Sequence, residues 1–374
     1  VKVIERTLKA DKRRGARDRA FIAENIYEIV RWYRLLYTLR GAPPKTEADW
    51  WEMIGIRYLI DGHQLPNWRE FKALNAEVIL KRYEVGGLPR AVNESIPDWI
   101  DQLCEKELQE KWAPTLAALN HPAKVVLRVN RLKGTARELV AMLKLDDVVT
   151  SILDEESLLV EKRQSLFKTR AFQEGRFEFQ DFSSQQVAPF CEVAPGMRVV
   201  DACAGAGGKT LHLASRMQNK GQLIALDNLA WKLGELKKRA RRAGVFIIET
   251  RHIENSKVIK RLAGQADRVL LDVPCSGLGV LKRNPDSKWK LKAEFIAEIK
   301  KTQQHILQSY SRMVKDGGKL IYATCSVLPS ENQEQVDQFL KSEAGQGFQL
   351  EEQRSILPQD EGFDGFFMAR LKKN

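Results

Sequence analysis

Apolar residues recur at helical spacing through residues 16–40, where Phe21, Ile22, Ile26, Ile29, Val30, Tyr33, Leu36 and Tyr37 share one face. The pattern predicts one helix, ended by GAPPK at 41–45. Residues 50–59 and 68–83 read as two more helices, and Gly86, Gly87 and Pro89 mark a break. Residues 1–88 are therefore expected to form a small all-helical module. The segment 95–112 predicts a helix with Ser95 as N-cap and Pro97 in its first turn. KVVLRVNRLK (124–133) alternates like a strand, ARELVAMLK (136–144) is helical, and short strand-like segments run to Phe179. Residues 89–180 are expected to be a linker helix plus a small α+β subdomain.

From residue 181 onward the rhythm becomes strand–helix–strand. Strands are predicted at 197–203, 222–227, 245–250, 267–273 and 317–326, and helices at 208–217, 229–244, 292–314 and 332–340. Alternation with short links implies an α/β domain over 181–374, a parallel sheet covered on both faces. Ligands of such sheets bind at the carboxyl ends of the strands. Three unusual turns fall at those ends: DACAGAGGKT (201–210), LDVPCSG (271–277) and YATCS (322–326).

In the first turn, Gly205, Gly207 and Gly208 allow a tight bend and close approach of a ligand to the backbone. GKT suggests a phosphate-binding loop, but that pattern needs glycine at 203, which is cysteine. Asp227, at the end of the next strand, can accept hydrogen bonds from a ribose diol, so a nucleotide-like ligand is expected. The other two turns each hold a cysteine, Cys275 and Cys325. One thiol can attack a carbon while the other helps remove a proton. A single cysteine is more often a small buried hydrophobe; two in polar turns at strand ends argue for chemistry.

Composition narrows the classes. The five cysteines lack CxxC spacing and the five histidines are scattered, which excludes a disulfide framework and points to no metal site. A reducing, cytoplasmic setting fits best. No apolar run approaches membrane-spanning length, and nothing near Val1 resembles a signal peptide. Val1 is not methionine, which points to a trimmed or incomplete start. The formal net charge is +12, and the excess is clustered. Lys and Arg outnumber Asp and Glu eleven to five in 1–40, ten to three in 231–261 (with KKRARR at 237–242) and seven to three in 281–301. Three such runs favour a polyanionic partner bound through its phosphates.

With these motifs in place, the chain resembles the RsmB-type RNA cytosine-C5 methyltransferases of the wider Nop2/Sun group. The resemblance covers roughly residues 90–374, by motif order. FQDFSSQQV (179–187) is similar to the segment that enters the family's catalytic domain, and DGFFMARL (364–371) to its closing strand. The N-terminal helices resemble the family's NusB-like module. The resemblance implies a Rossmann-like methyltransferase domain and S-adenosylmethionine as cofactor. It implies RNA as substrate, with small-subunit rRNA ahead of tRNA, and a monomer. A non-catalytic RNA-binding assembly factor is the alternative from another class.

By resemblance, Cys203, Ala204, Gly205, Ala206, Gly207, Gly208 and Lys209 form the cofactor turn, with Asp227 and Asp272 beside it. Where the family turn reads CAAPGGK, this chain has Ala206 in place of proline. Glu254 is the nearest match to the family's adenine-contacting acid. Cys325 is implied as the attacking thiol and Cys275 as the one assisting release of the adduct; the residues alone allow the reverse. Asp272 and Lys209 are implied at the base. A reactive cytosine must be unpaired or flipped out. The basic helix 231–244 and the 282–301 segment would track RNA phosphates, with Trp289 a candidate stacking surface.

Overall fold

The computed structural model describes every residue except 1, 12 and 14. Lys12 and Arg14 belong to the N-terminal basic run, so that part of the charge expectation lies outside the described residues. The chain divides into two compact units: residues 1–106 with 284–290, and residues 107–283 with 291–374. The division falls later than the break expected near residue 88, and a short segment from the C-terminal half of the sequence joins the first unit.

The first unit is helical. Helices Ala16–Arg31, Tyr33–Arg40, Glu47–Ile60 and Ala76–Glu84 bury Leu35, Leu36, Leu39, Met53, Ile56, Leu59 and Ile79. The single helix expected over 16–40 is broken at Trp32, whose ψ of 17° leaves the helical region. Ser95 does not cap its own helix. It adopts φ +50°, and its hydroxyl accepts the Arg34 amide at 2.8 Å, capping the start of Tyr33–Arg40 instead. The expected helix 68–83 is a short 3₁₀ turn, Arg69–Phe71, followed by Ala76–Glu84 with Asn75 as its N-cap. Trp289 donates its indole N–H to the Val30 carbonyl at 2.7 Å and lies edge-on to Tyr33. That side chain serves packing within this unit rather than presenting an open stacking face.

The second unit contains two sheets. The smaller is antiparallel, in the order β2-β3-β1-β4: β1 Val125–Val129, β2 Thr150–Asp154, β3 Ser157–Val160 and β4 Phe177–Phe179. Helix Ala136–Lys144, opened by a Thr135–Glu138 capping box, covers it through Leu139 and Leu143. The larger sheet has seven strands in the order β10-β11-β9-β8-β5-β6-β7: β5 Arg198–Asp201, β6 Gln222–Asp227, β7 Ile248–His252, β8 Ala266–Asp272, β9 Val314–Thr324, β10 Phe348–Ile356 and β11 Phe366–Lys373. Alternate residues point to opposite faces. Val200, Ile224, Val269 and Tyr322 build one core, and Val199, Leu223, Leu270 and Ile321 the other.

The sheet is not wholly parallel, as the alternation had suggested. β5 to β9 are parallel, but β11 runs antiparallel to β9 and β10 antiparallel to β11. The connection 357–365 is shorter than the dozen or so residues a parallel crossover needs, so β10 and β11 form a hairpin-like edge.

Two arginines from the basic helix Ala230–Ala243 are committed to the seam between the sheets. Arg239 and Arg242 both pair with the buried Glu178 of β4, Arg239 at 2.9 Å. Burial depresses the nearby Arg128 guanidinium to about 10 even though Glu178 favours its charge. Removing the carboxylate would leave this group of cations uncompensated. Glu178→Ala is expected to cost about 3–5 kcal/mol, read as a lower urea midpoint, and Glu178→Gln distinctly less.

Candidate active site

The site is assembled by strand register. β8 and β9 are parallel neighbours, with Leu271 opposite Tyr322 and Asp272 opposite Ala323. Both strands then end, so the two cysteine turns leave the sheet side by side. The Val273 amide donates to the Ala323 carbonyl at 3.0 Å, and the Gly279 amide to the Cys325 carbonyl at 3.0 Å. Gly279 is required by space: a Cβ there would lie 2.3 Å from the Gly365 carbonyl oxygen and 2.7 Å from that of Cys325. The result places Cys275 Sγ 3.3 Å from Cys325 Sγ. The hydrogen bond to Cys325 and burial push the Cys275 thiol well above its usual range.

Lys209, in the first turn of helix Gly208–Arg216, reaches across β5 to Asp272, with Nζ 2.7 Å from Oδ2. The ammonium also lies 4.8 Å from the centre of the Phe366 ring. Burial works against its charge, but Asp272 and the Cys325 sulfur outweigh that and raise its pKa. A cation, a carboxylate and two thiols thus meet at the ends of β8 and β9.

Beside them lies a cavity of about 620 Å³. Cys203, Ala204, Gly205, Ala206, Gly208, Lys209, Asp227 and Asp272 line it. Asp227 accepts the Gly205 amide at 2.8 Å through one oxygen and the Leu229 amide at 2.8 Å through the other, which fixes the carboxylate at the cavity rim. Burial pushes the Cys203 thiol well up, marking it as wall rather than nucleophile. Gly207 does not line the cavity. Its φ is +90°, and a Cβ would meet Leu236 at 2.6 Å, so it serves the turn and the packing behind it. Arg239 donates to the Ala206 carbonyl at 2.8 Å, bracing the turn where proline is absent.

Glu254 stands outside the cavity. Its side chain is 73% exposed and faces His252, whereas the preceding Ile253 lines the wall. Neither Cys275 nor Cys325 belongs to the cavity lining, which reaches Pro274. The sequence reading missed Gln180, Ser184, Leu229 and Lys232 of the lining, and also Thr302, Ile306 and Tyr310. The last three sit four residues apart on helix Ala293–Tyr310, so their shared face was readable, though not what it faces. Among the described residues, no group of three or more His, Cys, Asp or Glu could hold a metal ion, and no helix is long and apolar enough to cross a membrane.

The basic segments divide by role. On helix Ala230–Ala243, Lys237, Lys238 and Arg241 are exposed. In the 281–301 run, Lys282 is buried, Arg283 bridges Asp181 and Asp364, and Lys292 and Lys301 face solvent.

Comparison with known proteins places these features in context. Residues 190–372 match the family described as 16S rRNA methyltransferase RsmB/F, and residues 96–165 match the ferredoxin-like domain of RsmF/B-like methyltransferases. The chain is 35% identical over 298 residues to a Synechocystis protein described as a probable ribosomal RNA small subunit methyltransferase B, covering 75% of this chain and 67% of that one. It is 33% identical over 287 residues to the ribosomal RNA small subunit methyltransferase B of Vibrio cholerae, covering 74% and 65%. The match thus spans about two thirds of these curated relatives. Among solved structures, PH0851 superposes with a TM-score of 0.82 at 24% identity over 99% of this chain and 93% of that one, a likeness of fold.

Asp201, at the end of β5, accepts the Thr210 hydroxyl at 2.7 Å. Burial pushes its carboxyl up to about 7 against that hydrogen bond. Between about pH 4, where an unfolded aspartate ionises, and about 7, the folded chain holds a proton that the unfolded chain has released. Stability from this group is complete below that window and lost across it. Wild type is therefore expected to lose stability relative to Asp201→Asn as pH rises from 4 to 7, with no further change above. Urea unfolding at several pH values checks this; a pH-independent difference would contradict it.

Proposed function

The chain belongs to the RsmB/F family of 16S rRNA methyltransferases, and from that premise we propose that it is an S-adenosylmethionine-dependent RNA cytosine-C5 methyltransferase acting on 16S rRNA. One observation carries the reading: two thiols 3.3 Å apart, at adjacent strand ends, next to a Lys209–Asp272 pair that borders a nucleotide-sized cavity.

The cavity residues suit the cofactor. Asp227 would accept the ribose hydroxyls, Leu229 and Ile253 would flank the adenine, and Asp272 would lie toward the cationic sulfur. When bound, S-adenosylmethionine supplies an electrophilic methyl group. Everything else is asked of the protein and the base.

Carbon 5 of cytosine is a weak nucleophile. Addition of the Cys325 sulfur to carbon 6 converts the ring to an enamine that can take the methyl at carbon 5. Asp272 would hydrogen-bond the amino and ring-nitrogen edge, favouring protonation of the ring as sulfur adds. Lys209 holds Asp272 in place beside the reacting base. After transfer, the carbon-5 proton leaves, the carbon–sulfur bond breaks and the ring regains its double bond. Cys275, against Cys325, is placed to assist that release. Lys237, Lys238 and Arg241 would contact RNA phosphates, making binding weaken with salt.

Transfer of labelled methyl from S-adenosylmethionine to RNA tests the proposal, with 16S rRNA as acceptor and tRNA as comparator. Cys325→Ala is expected to lose roughly a thousandfold or more in rate and to form no covalent RNA adduct. Cys275→Ala should accumulate a protein–RNA species on a denaturing gel. Labelled tRNA alone would redirect the substrate, and no transfer to any cellular RNA would favour an assembly role.

A further inference from the structure

Each candidate cysteine is followed by a serine, and the two serines are used alike. Ser276 Oγ accepts the Leu278 amide at 3.3 Å, and Ser326 Oγ accepts the Leu328 amide at 3.1 Å. Both turns thus close by the same bond, from a hydroxyl to the amide two residues on. The two hydroxyls lie 3.2 Å apart, and both donate to one atom, Oε2 of Glu331. The other carboxylate oxygen accepts the Ser276 amide at 2.8 Å and Gln303 Nε2 at 3.0 Å. Four donors fill the roughly four lone-pair positions of a carboxylate.

We propose that Glu331 is a positioning residue: its carboxylate joins the Cys275 turn to the Cys325 turn and so sets the approach of the two sulfurs. The assignment rests on the reading of Cys325 as nucleophile. Glu331 is fully buried, and none of its four donors carries a formal charge. Burying a carboxylate without a cation is costly, and apolar residues would fill the space at less expense. What apolar residues lack is a single acceptor that receives both turns. The surroundings hold Glu331 firmly: Tyr322 of β9 donates to its carbonyl at 2.7 Å, and Gln303 also donates to the Pro274 carbonyl at 3.0 Å. Glu331 does not line the cofactor cavity.

The carboxylate also acts through its charge. The ionisable groups around the thiols are Lys209 and Asp272 beside Cys325, Tyr322 beneath Cys275, and Glu331. The hydrogen bond to Cys325 and burial do most to keep Cys275 protonated, and the negative charge of Glu331 adds to them. Cys275 thereby remains the thiol of the pair.

Two measurements test this. In RNA-free protein, alkylation of Cys275 by iodoacetamide is followed against pH by mass spectrometry. Glu331→Gln keeps the shape but removes the charge, and the midpoint should fall by roughly one pH unit. Ser326→Ala removes one hydroxyl but keeps the charge, and should leave the midpoint in place. The second measurement is single-turnover adduct formation with RNA containing 5-fluorocytosine, whose fluorine blocks release. Both variants should slow it about tenfold or more, with S-adenosylmethionine affinity within about twofold of wild type. An unmoved midpoint in Glu331→Gln, or wild-type adduct rates in the variants, overturns the assignment. If Glu331→Gln does not fold, Ser326→Ala alone decides the rate. If wild type forms no adduct with any RNA, the proposed function fails, while the alkylation midpoint still decides the role of Glu331.

Discussion

The parallel pairing of β8 with β9 is the constraint on which the rest of the site depends. Because Asp272 lies opposite Ala323, the two chains leave the sheet at the same level. A one-residue slip would turn every side chain of one strand to the other face. It would also carry one cysteine turn out of reach of the other. The backbone bonds from Val273 to Ala323 and from Gly279 to Cys325 extend the pairing past the end of the regular strands. The absence of a side chain at Gly279 lets the Gly365 backbone close over the same point.

Electrostatics is organised around that junction. The Lys209 cation, paired with Asp272, acts on Cys325, and the buried Glu331 carboxylate acts on Cys275. The chain's large positive excess takes part only selectively. Arg239 and Arg242 are committed to Glu178, and Arg283 to Asp181 and Asp364. Lys237, Lys238 and Arg241, on the same helix as the first two, remain at the surface. A run of like charges in sequence is thus split by helical periodicity into a face that joins the two sheets and a face available to a polyanion.

The small antiparallel sheet has a part in the glycine-rich turn 201–210. Arg128 of β1 donates to the Gly208 carbonyl, and Arg239, anchored on Glu178 of β4, donates to the Ala206 carbonyl. The turn is thereby supported from outside the main sheet. This gives a physical account of how it keeps its shape with alanine where the family pattern has proline.

Local features determined what could be read directly. The strands 222–227, 198–201 and 266–272, the helices between them and the helix 136–144 follow from hydrophobic period and capping residues, which act over a few positions. The same reasoning put Cys275, Cys325, Asp272, Lys209 and Asp227 at strand ends, because a parallel sheet places such turns at one edge. Contacts between residues distant in sequence decided the remainder. The hairpin-like edge of β10 and β11 depends on pairing with β9, and Ser95 caps a helix sixty residues upstream. Ile253 rather than Glu254 faces the cavity because of how the chain turns after β7. The four donors that surround Glu331 come from three separate segments, and no periodicity within any one of them records where the others will lie.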